Sequence, residues 1–467
     1  KPYNILGGLQ DNGVLRGPSN HRPGKSDPAQ WKEILGGDGS MVVVDPKDPN
    51  TVYAAYQFGF ASRLNLKTGE RTSIRPRAEL SASKKEKPLR YNWVTPFLLS
   101  PHSREILYFG ANKLYRSFDR GETWTAISGD LTSDREQGDV PFGTITSIAE
   151  SPKKFGVIFV GTDEGKVWGT RDGGATWSDL SAGLAKDRWV TRVVASAFDE
   201  GTVYVTQNGY RNDDFAPYVW RSSDYGARWQ SLTDGLPAEP VNTVREDPKA
   251  DHLLYVGTDH GVFVSLDPDE DWIPLTGGLP KVPVHDLQVH PREGDLVVAT
   301  HGRSVYLADA SPLRKLTETV REKALHAFPI KPIQGDPRRG YGEHPYLTWF
   351  REEPTVRIAY WLSGKPGVVQ IAVKDENGGL WKELAGTSGA GMNVVEYNLA
   401  VDPKLADAAE ATALAKARER EREKAKQAKP AEGTEAKGNG EELEEDEKAT
   451  AKPQPGPSKP LDPDLEV

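Results

Sequence analysis

The chain has 467 residues, with 59 Lys plus Arg against 68 Asp plus Glu and a net charge of -9. That balance speaks against a nucleic-acid or anionic-membrane binder, whose footprint is a basic surplus. Cysteine is absent, which excludes disulfides, thiolate metal sites and Cys nucleophiles, and no apolar run is long enough to span a membrane.

The chain opens on Lys1 without an initiator Met or a signal-peptide pattern, and is read as a processed or truncated product. Tyr3-Asn-Ile-Leu-Gly-Gly through Trp31-Lys-Glu-Ile reads as the last three strands of a repeating unit whose first strand is missing. An upstream part of the same precursor is therefore expected. Six full units then begin near residues 40, 93, 144, 190, 241 and 283. Each has short β-rich runs between Asp-Pro, Gly and Asn clusters, as in Val157-Ile-Phe-Val-Gly-Thr and Leu253-Leu-Tyr-Val-Gly-Thr.

One turn recurs inside these units: Ser117-Phe-Asp119-Arg-Gly121-Glu-Thr-Trp124, Thr170-Arg-Asp172-Gly-Gly174-Ala-Thr-Trp177, Ser222-Ser-Asp224-Tyr-Gly226-Ala-Arg-Trp229, and a degenerate Ser265-Leu-Asp267 to Trp272. The Trp positions step by 53, 52 and 43 residues, near the ~40–50 of a four-stranded propeller blade. Asp accepts backbone N–H bonds in a tight turn, and Gly two residues later supplies positive φ. Trp buries a large face between neighbouring sheets. These are fold devices, so Asp119, Asp172, Asp224 and Asp267 are read as turn staples, with catalysis or metal binding the competing role.

From Pro345 the grammar changes. Thr355-Val-Arg-Ile-Ala-Tyr-Trp-Leu, Val368-Val-Gln-Ile-Ala-Val and Asn393-Val-Val-Glu-Tyr-Asn-Leu alternate like strands. The predicted fold is all-β: a propeller of about seven blades over residues 1–325, its first blade incomplete, then an Ig- or fibronectin-like β-sandwich over 326–400. Residues 401–429 are a charged, solvated helix, and 430–467 a disordered linker ending in the start of another strand.

The recurring turn resembles the Asp-box, or BNR repeat, of sialidases, sortilin-type receptors and two-propeller xyloglucanases. Gly8-Leu-Gln-Asp-Asn-Gly13, Gly36-Gly-Asp-Gly39, Arg90-Tyr-Asn-Trp93, Phe109-Gly-Ala-Asn112 and Ala299-Thr-His-Gly-Arg-Ser304, followed by the Ig-like end, resemble bacterial sortilin-like BNR-repeat proteins. The similarity covers residues 1 to about 400. It implies an exported protein (secreted, periplasmic or at the cell surface) of a kind often labelled glycosyl hydrolase on its repeats alone.

Glycoside hydrolysis needs two carboxylates across a cleft, ~5–9.5 Å apart depending on stereochemistry. Asp11 and Asp38, in Gly-rich loops, are the candidates, with turn capping as the competing role. Tyr91, Asn92 and Trp93 precede a first strand, where loops reach the rim, and His301 and Arg303 follow a strand beside the central channel. An aromatic beside Asn suits a sugar or peptide, and a His/Arg pair suits an anionic group; interblade packing and carbonyl bonding are the competing roles. The nine His are scattered without metal-helix spacing, and neither a phosphate-binding Gly loop nor a Gly-x-Ser-x-Gly elbow occurs. No metal or cofactor is expected. The preferred function is non-enzymatic recognition of a peptide, protein or glycan. A two-propeller-type glycoside hydrolase and a structural subunit of a cell-surface assembly are the alternatives.

Overall fold

The computed structural model describes residues 3–20, 30–77, 88–133, 137–138, 140–333, 355–376 and 378–427. The predicted linker and final strand at 430–467 lie outside the described residues. Packing divides the chain into two compact units, Lys1–Ile371 with Glu383–Ala400, and Ala372–Lys382 with Val401–Val467.

The first unit begins with seven consecutive antiparallel sheets. Sheet 1 holds β1 (Asn4–Leu9), β2 (Gly13–Pro18) and β3 (Lys32–Leu35). Sheet 2 holds β4 (Gly39–Asp45), β5 (Asp48–Tyr56), β6 (Phe60–Asn65) and β7 (Arg71–Ser73). Sheet 3 holds β8 (Phe97–Leu99), β9 (Leu107–Gly110), β10 (Leu114–Ser117) and β11 (Thr125–Ala126). Sheet 4 holds β12 (Ile145–Glu150), β13 (Ile158–Thr162), β14 (Val167–Thr170) and β15 (Ser178–Asp179). Sheet 5 holds β16 (Trp189–Ala195), β17 (Val203–Gly209), β18 (Asp214–Ser222) and β19 (Gln230–Ser231). Sheet 6 holds β20 (Val241–Asp247), β21 (Ala250–Thr258), β22 (Gly261–Ser265) and β23 (Ile273–Pro274). Sheet 7 holds β24 (Val284–Val289), β25 (Asp295–Thr300) and β26 (Val305–Asp309). This is an all-β, propeller-like succession.

Two repeated devices set how each sheet meets the next. The ladder shifts register near the start of β12, β16, β20 and β24, between Ile145/Ser147, Val190/Arg192, Val241/Thr243 and Val284/Asp286. Such a bulge breaks the period of two. Apolar residues three apart, such as Val190 and Val193 or Val241 and Val244, can then share one core. The second device is a glycine near the end of the second strands β9, β13 and β21, where the next sheet's first strand approaches. A Cβ on Gly161 would lie 2.2 Å from Val190 Cγ1, and one on Gly257 2.7 Å from Val284 Cγ1. In β1 the same position is Gly8, whose Cβ would meet the Ser40 carbonyl at 2.4 Å. Lys32, directly after Trp31, pairs with Arg16, as Thr125 after Trp124 pairs with Arg116. Sheet 1 therefore consists of a second, third and fourth strand.

The succession closes where Tyr3 donates its hydroxyl to Asp295 Oδ2 at 2.8 Å and lies 4.1 Å, centroid to centroid, from the His290 ring.

The repeated turns are built as staples. Ser117 donates its hydroxyl to Asp119 Oδ1 at 2.7 Å and accepts the Gly121 N–H at 2.8 Å, while Asp119 Oδ1 accepts the Thr123 N–H at 2.8 Å. Thr170, Asp172, Gly174 and Thr176 repeat the pattern, as do Ser222, Asp224, Gly226 and Arg228. The Thr176 hydroxyl and the Arg228 guanidinium, with the turn N–H groups, hold Asp172 and Asp224 down at about 2, and at Asp119 the Thr123 hydroxyl and N–H overcome burial to the same effect. The degenerate turn differs. Ser265 donates to the Asp267 main-chain carbonyl, and among the described residues Asp267 Oδ1 accepts the Asp269 N–H alone, at 2.9 Å. All four Trp also reach back to the preceding sheet. The indole N–H groups of Trp124, Trp177, Trp229 and Trp272 donate to the carbonyls of Ile74, Ile127, Leu180 and Leu232.

After sheet 7 the chain passes through a short helix α1 (Glu318–Arg321) to β27 (Leu325–Ala327), β28 (Val356–Leu362), β29 (Val369–Lys374), β30 (Leu380–Gly386) and β31 (Gly391–Tyr397). β27, β28 and β31 form one sheet, and β29 and β30 another. Phe328, Ala359 and Trp361 join the core of Leu287, Leu296 and Val298 in sheet 7. The second unit includes α2 (Pro403–Gln427). No helix among the described residues is long and apolar enough to cross a membrane.

Candidate functional site

The turns between second and third strands, and those leading into first strands, lie at the same end of the antiparallel sheets. Hydrogen bonds between them lace one face. Asp38 Oδ1 accepts the Asp11 N–H at 3.0 Å, and Gln57 Oε1 accepts the Asp38 N–H at 2.8 Å. Phe58 donates its N–H to the Trp93 carbonyl at 3.1 Å and packs edge-on to the Trp93 ring, 4.9 Å away. Asn92 donates to Thr144 Oγ1 at 2.9 Å, and Thr144 donates both its N–H and its hydroxyl to Asp163. Asn208 donates to Asn242 Oδ1 at 3.2 Å, and Asn242 donates to Asp259 Oδ1 at 2.9 Å. Asp163 is 5% exposed. Burial outweighs its two bonds from Thr144, and with Glu164 alongside its pKa is raised to about 6.

The predicted site residues fall on this face but in different settings. Tyr91 is buried and donates its hydroxyl to the Pro76 carbonyl at 2.6 Å; Asn92 is buried in the bond to Thr144. Trp93 is half-buried, and His301 and Arg303 are exposed. Asp11, with φ of 63°, and Asp38 line an open cleft of about 560 Å3 together with Glu33. Asp38 also serves there as the acceptor that ties two loops.

Four residues not singled out by the sequence complete a cluster at the mouth of sheets 5 to 7. The Arg211 guanidinium lies 4.2 Å from the Trp189 ring centroid and 4.4 Å from that of Tyr210. His285 lies 5.0 Å, centroid to centroid, from His301. Crowding by protein lowers the His285 pKa, repulsion from His301, Arg192 and Arg211 adds to this, and Asp259 opposes it. Just below, Arg192 of β16 donates to Asp286 Oδ1 of β24 at 2.9 Å. Arg192, Arg188 and Arg221 all have carboxylate partners. Arg211 and Arg303 have none among the described residues. A signal was present in the sequence: Tyr210-Arg211 occupies in sheet 5 the second-to-third-strand turn that His301-Gly-Arg303 occupies in sheet 7, which aligning the repeats through that turn would have exposed.

Unpaired guanidinium and imidazole groups beside indole and phenol faces can hold a carboxylate and an apolar neighbour together. Among the described residues no group of three or more His, Asp or Glu is placed to hold a metal.

No protein-family model and no curated protein matches the chain. Similar solved structures include a Niastella koreensis GH74 enzyme (17% identity, TM-score 0.49) and a GH74 xyloglucanase from Xanthomonas campestris (17%, 0.46), each alignment covering 66% of this chain and 50% of the other. YCF48 bound to D1 peptide is another, at 12% identity and a TM-score of 0.44, over 65% of this chain and 89% of that one. All are β-propellers. The chain spans half the length of the two GH74 structures.

Proposed function

We propose that the chain is an exported, non-enzymatic recognition scaffold, a seven-bladed Asp-box propeller with an Ig-like sandwich behind it, whose channel-mouth turns bind an acidic peptide segment of a partner protein. The observation that carries this is Arg211, over the Trp189 and Tyr210 rings without a carboxylate partner among the described residues, its charge felt by His285, which itself lies beside His301. On a chain of net charge -9, a local cationic cluster stands out from its surroundings. Stacking has already fixed the guanidinium plane, so a carboxylate meets a preorganised donor. A bound carboxylate favours the charged imidazole, so affinity should rise as pH falls from 7.5 to 5.5, with proton uptake on binding. Calorimetric titration with hexaglutamate tests this. Saturable binding that falls at least tenfold in Arg211→Ala with an unchanged melt supports it. Equal affinity for hexaglutamine overturns it, and tighter binding of polygalacturonate transfers the site to a glycan.

The second reading, a glycoside hydrolase, is favoured by one observation: Asp11, Asp38 and Glu33 line the same open cleft. Reducing ends released from β-glucans by the wild type, and abolished in both Asp11→Asn and Asp38→Asn with folding unchanged, would put hydrolysis first.

A further inference from the structure

Below the channel mouth, the first strands of sheets 5, 6 and 7 gather three charged side chains. Arg192 of β16 passes over sheet 6, donating its Nε to Thr243 Oγ1 at 3.3 Å and its Nη2 to Asp286 Oδ1 of β24 at 2.9 Å. Arg245 of β20 donates its Nε to the Leu287 carbonyl at 2.8 Å, which orients the guanidinium. Its Nη2 stops 3.8 Å from the same Asp286 Oδ1, beyond hydrogen-bond reach. Among the described residues, neither terminal nitrogen of Arg245 has a hydrogen-bond acceptor. The side chains of Arg192, Arg245 and Asp286 are 21%, 24% and 41% exposed, so a ligand entering the channel can reach them.

Two guanidinium groups therefore share one carboxylate, and a positive charge is left over. Burial pulls the Arg245 pKa down to about 10; Asp286 opposes this, the Arg192 charge adds to it, and the group stays protonated at neutral pH. Every residue from 140 to 333 is described, which includes all the turns at this end of sheets 5 to 7. Among them, none pairs a second carboxylate with either guanidinium.

The depth of this group follows from strand register. Asp286 pairs with Ala299, two residues inside His301, and Arg245 pairs with Tyr255, deeper in β21 than Thr258, the partner of Val241. At ~3.4 Å per strand residue, Asp286 lies roughly 7 Å below the turn that holds His301. In an extended peptide, side chains two residues apart leave one face at the same spacing of roughly 7 Å. We infer that Arg245 and Arg192 form a second carboxylate subsite, which takes an acidic side chain two residues along from the one held at Arg211. This rests on the channel-mouth reading and narrows its ligand to segments of the Glu-x-Glu or Asp-x-Asp type. Asp286 stays as the resident partner that orients Arg192. Arg245 presents the open terminal N–H groups, already fixed in direction by Leu287, to the incoming carboxylate.

Calorimetric titration of the full chain with three end-capped peptides tests this: Ser-Ser-Glu-Ser-Ser-Ser, Ser-Ser-Glu-Ser-Glu-Ser and Ser-Ser-Glu-Glu-Ser-Ser. The alternating peptide should bind at least fivefold tighter than the other two, although the adjacent-glutamate peptide carries the same charge. Arg245→Gln, with its melt unchanged, should reduce the alternating peptide to single-glutamate affinity and leave the single-glutamate peptide as it was. Asp286→Asn removes the competing carboxylate and should tighten the alternating peptide at least threefold, a gain that damage to the fold cannot imitate. Equal affinity for alternating and adjacent peptides, an equal loss for all three in Arg245→Gln, or no gain in Asp286→Asn overturns the subsite; the mouth reading then stands if Arg211→Ala still abolishes binding. Alternating-peptide binding that is untouched by Arg211→Ala but lost in Arg245→Gln supports the subsite and refutes the mouth reading. Absence of binding by all three peptides overturns both.

Discussion

Asp163 shows how one residue couples burial to pH. Its carboxylate accepts two bonds from Thr144, yet burial dominates and lifts its pKa from 3.8 to about 6. The folded state therefore binds a proton more tightly than the unfolded chain does. The stabilisation is complete below the unfolded value near 3.8 and is lost as pH rises through about 6. Acidifying from pH 7 to pH 5 should raise the wild-type stability relative to Asp163→Asn by about 1 kcal/mol, read from denaturation at both pH values. Parallel pH profiles for the two proteins would contradict the assignment. The sequence offered no hint of this, because the shift arises from a neighbouring turn, at Thr144, folding over an otherwise ordinary Thr-Asp-Glu turn.

At the scale of elements, the recurring Trp matters more than the Asp that marks it. Trp272 keeps its bond to the Leu232 carbonyl at 2.7 Å although the turn around Asp267 has lost the Ser–Asp–Thr network. Trp272 is 4% exposed, so Trp272→Phe leaves a buried carbonyl without its donor and should cost about 1–2 kcal/mol. Asp267→Ala should cost less, since among the described residues that side chain accepts one turn bond, from Asp269; chemical denaturation of both variants measures the order. The turn chemistry itself was legible in the sequence: Gly121, Gly174 and Gly226 have φ of 89°, 96° and 86°. Less legible was that Arg120 and Tyr225, just before two of those glycines, are also left-handed at 62° and 61°, a strain that no residue preference announces. The strand order came from repeat spacing, whereas the bulges that let residues three apart share a core are features of pairing, visible only once strands meet.

For the whole molecule, closure brings the last sheet to the first. Sheets 2 to 7 each pack a first strand against the sheet before, whereas at the seam between sheets 7 and 1 no such strand lies among the described residues, and Tyr3 meets His290 and Asp295 there. Tyr3→Phe should lower stability by about 1 kcal/mol and speed amide exchange in β1 and β25 ahead of the other sheets; uniform loosening would place the weak point elsewhere. The candidate site was partly legible at this scale. His301 and Arg303 were found because they follow a strand end, and Trp93 because it precedes one. Trp189, Tyr210, Arg211 and His285 escaped because their partnership joins sheets 5 and 7, far apart along the chain.

Hydrogen exchange of the full chain with and without saturating hexaglutamate tests the recognition reading most directly. Slowed exchange confined to residues 208–214, 284–286 and 300–304, and lost in Arg211→Ala, is the predicted result. Protection at residues 9–13 and 36–40, around Asp11 and Asp38, with the channel-mouth turns unchanged, would contradict it.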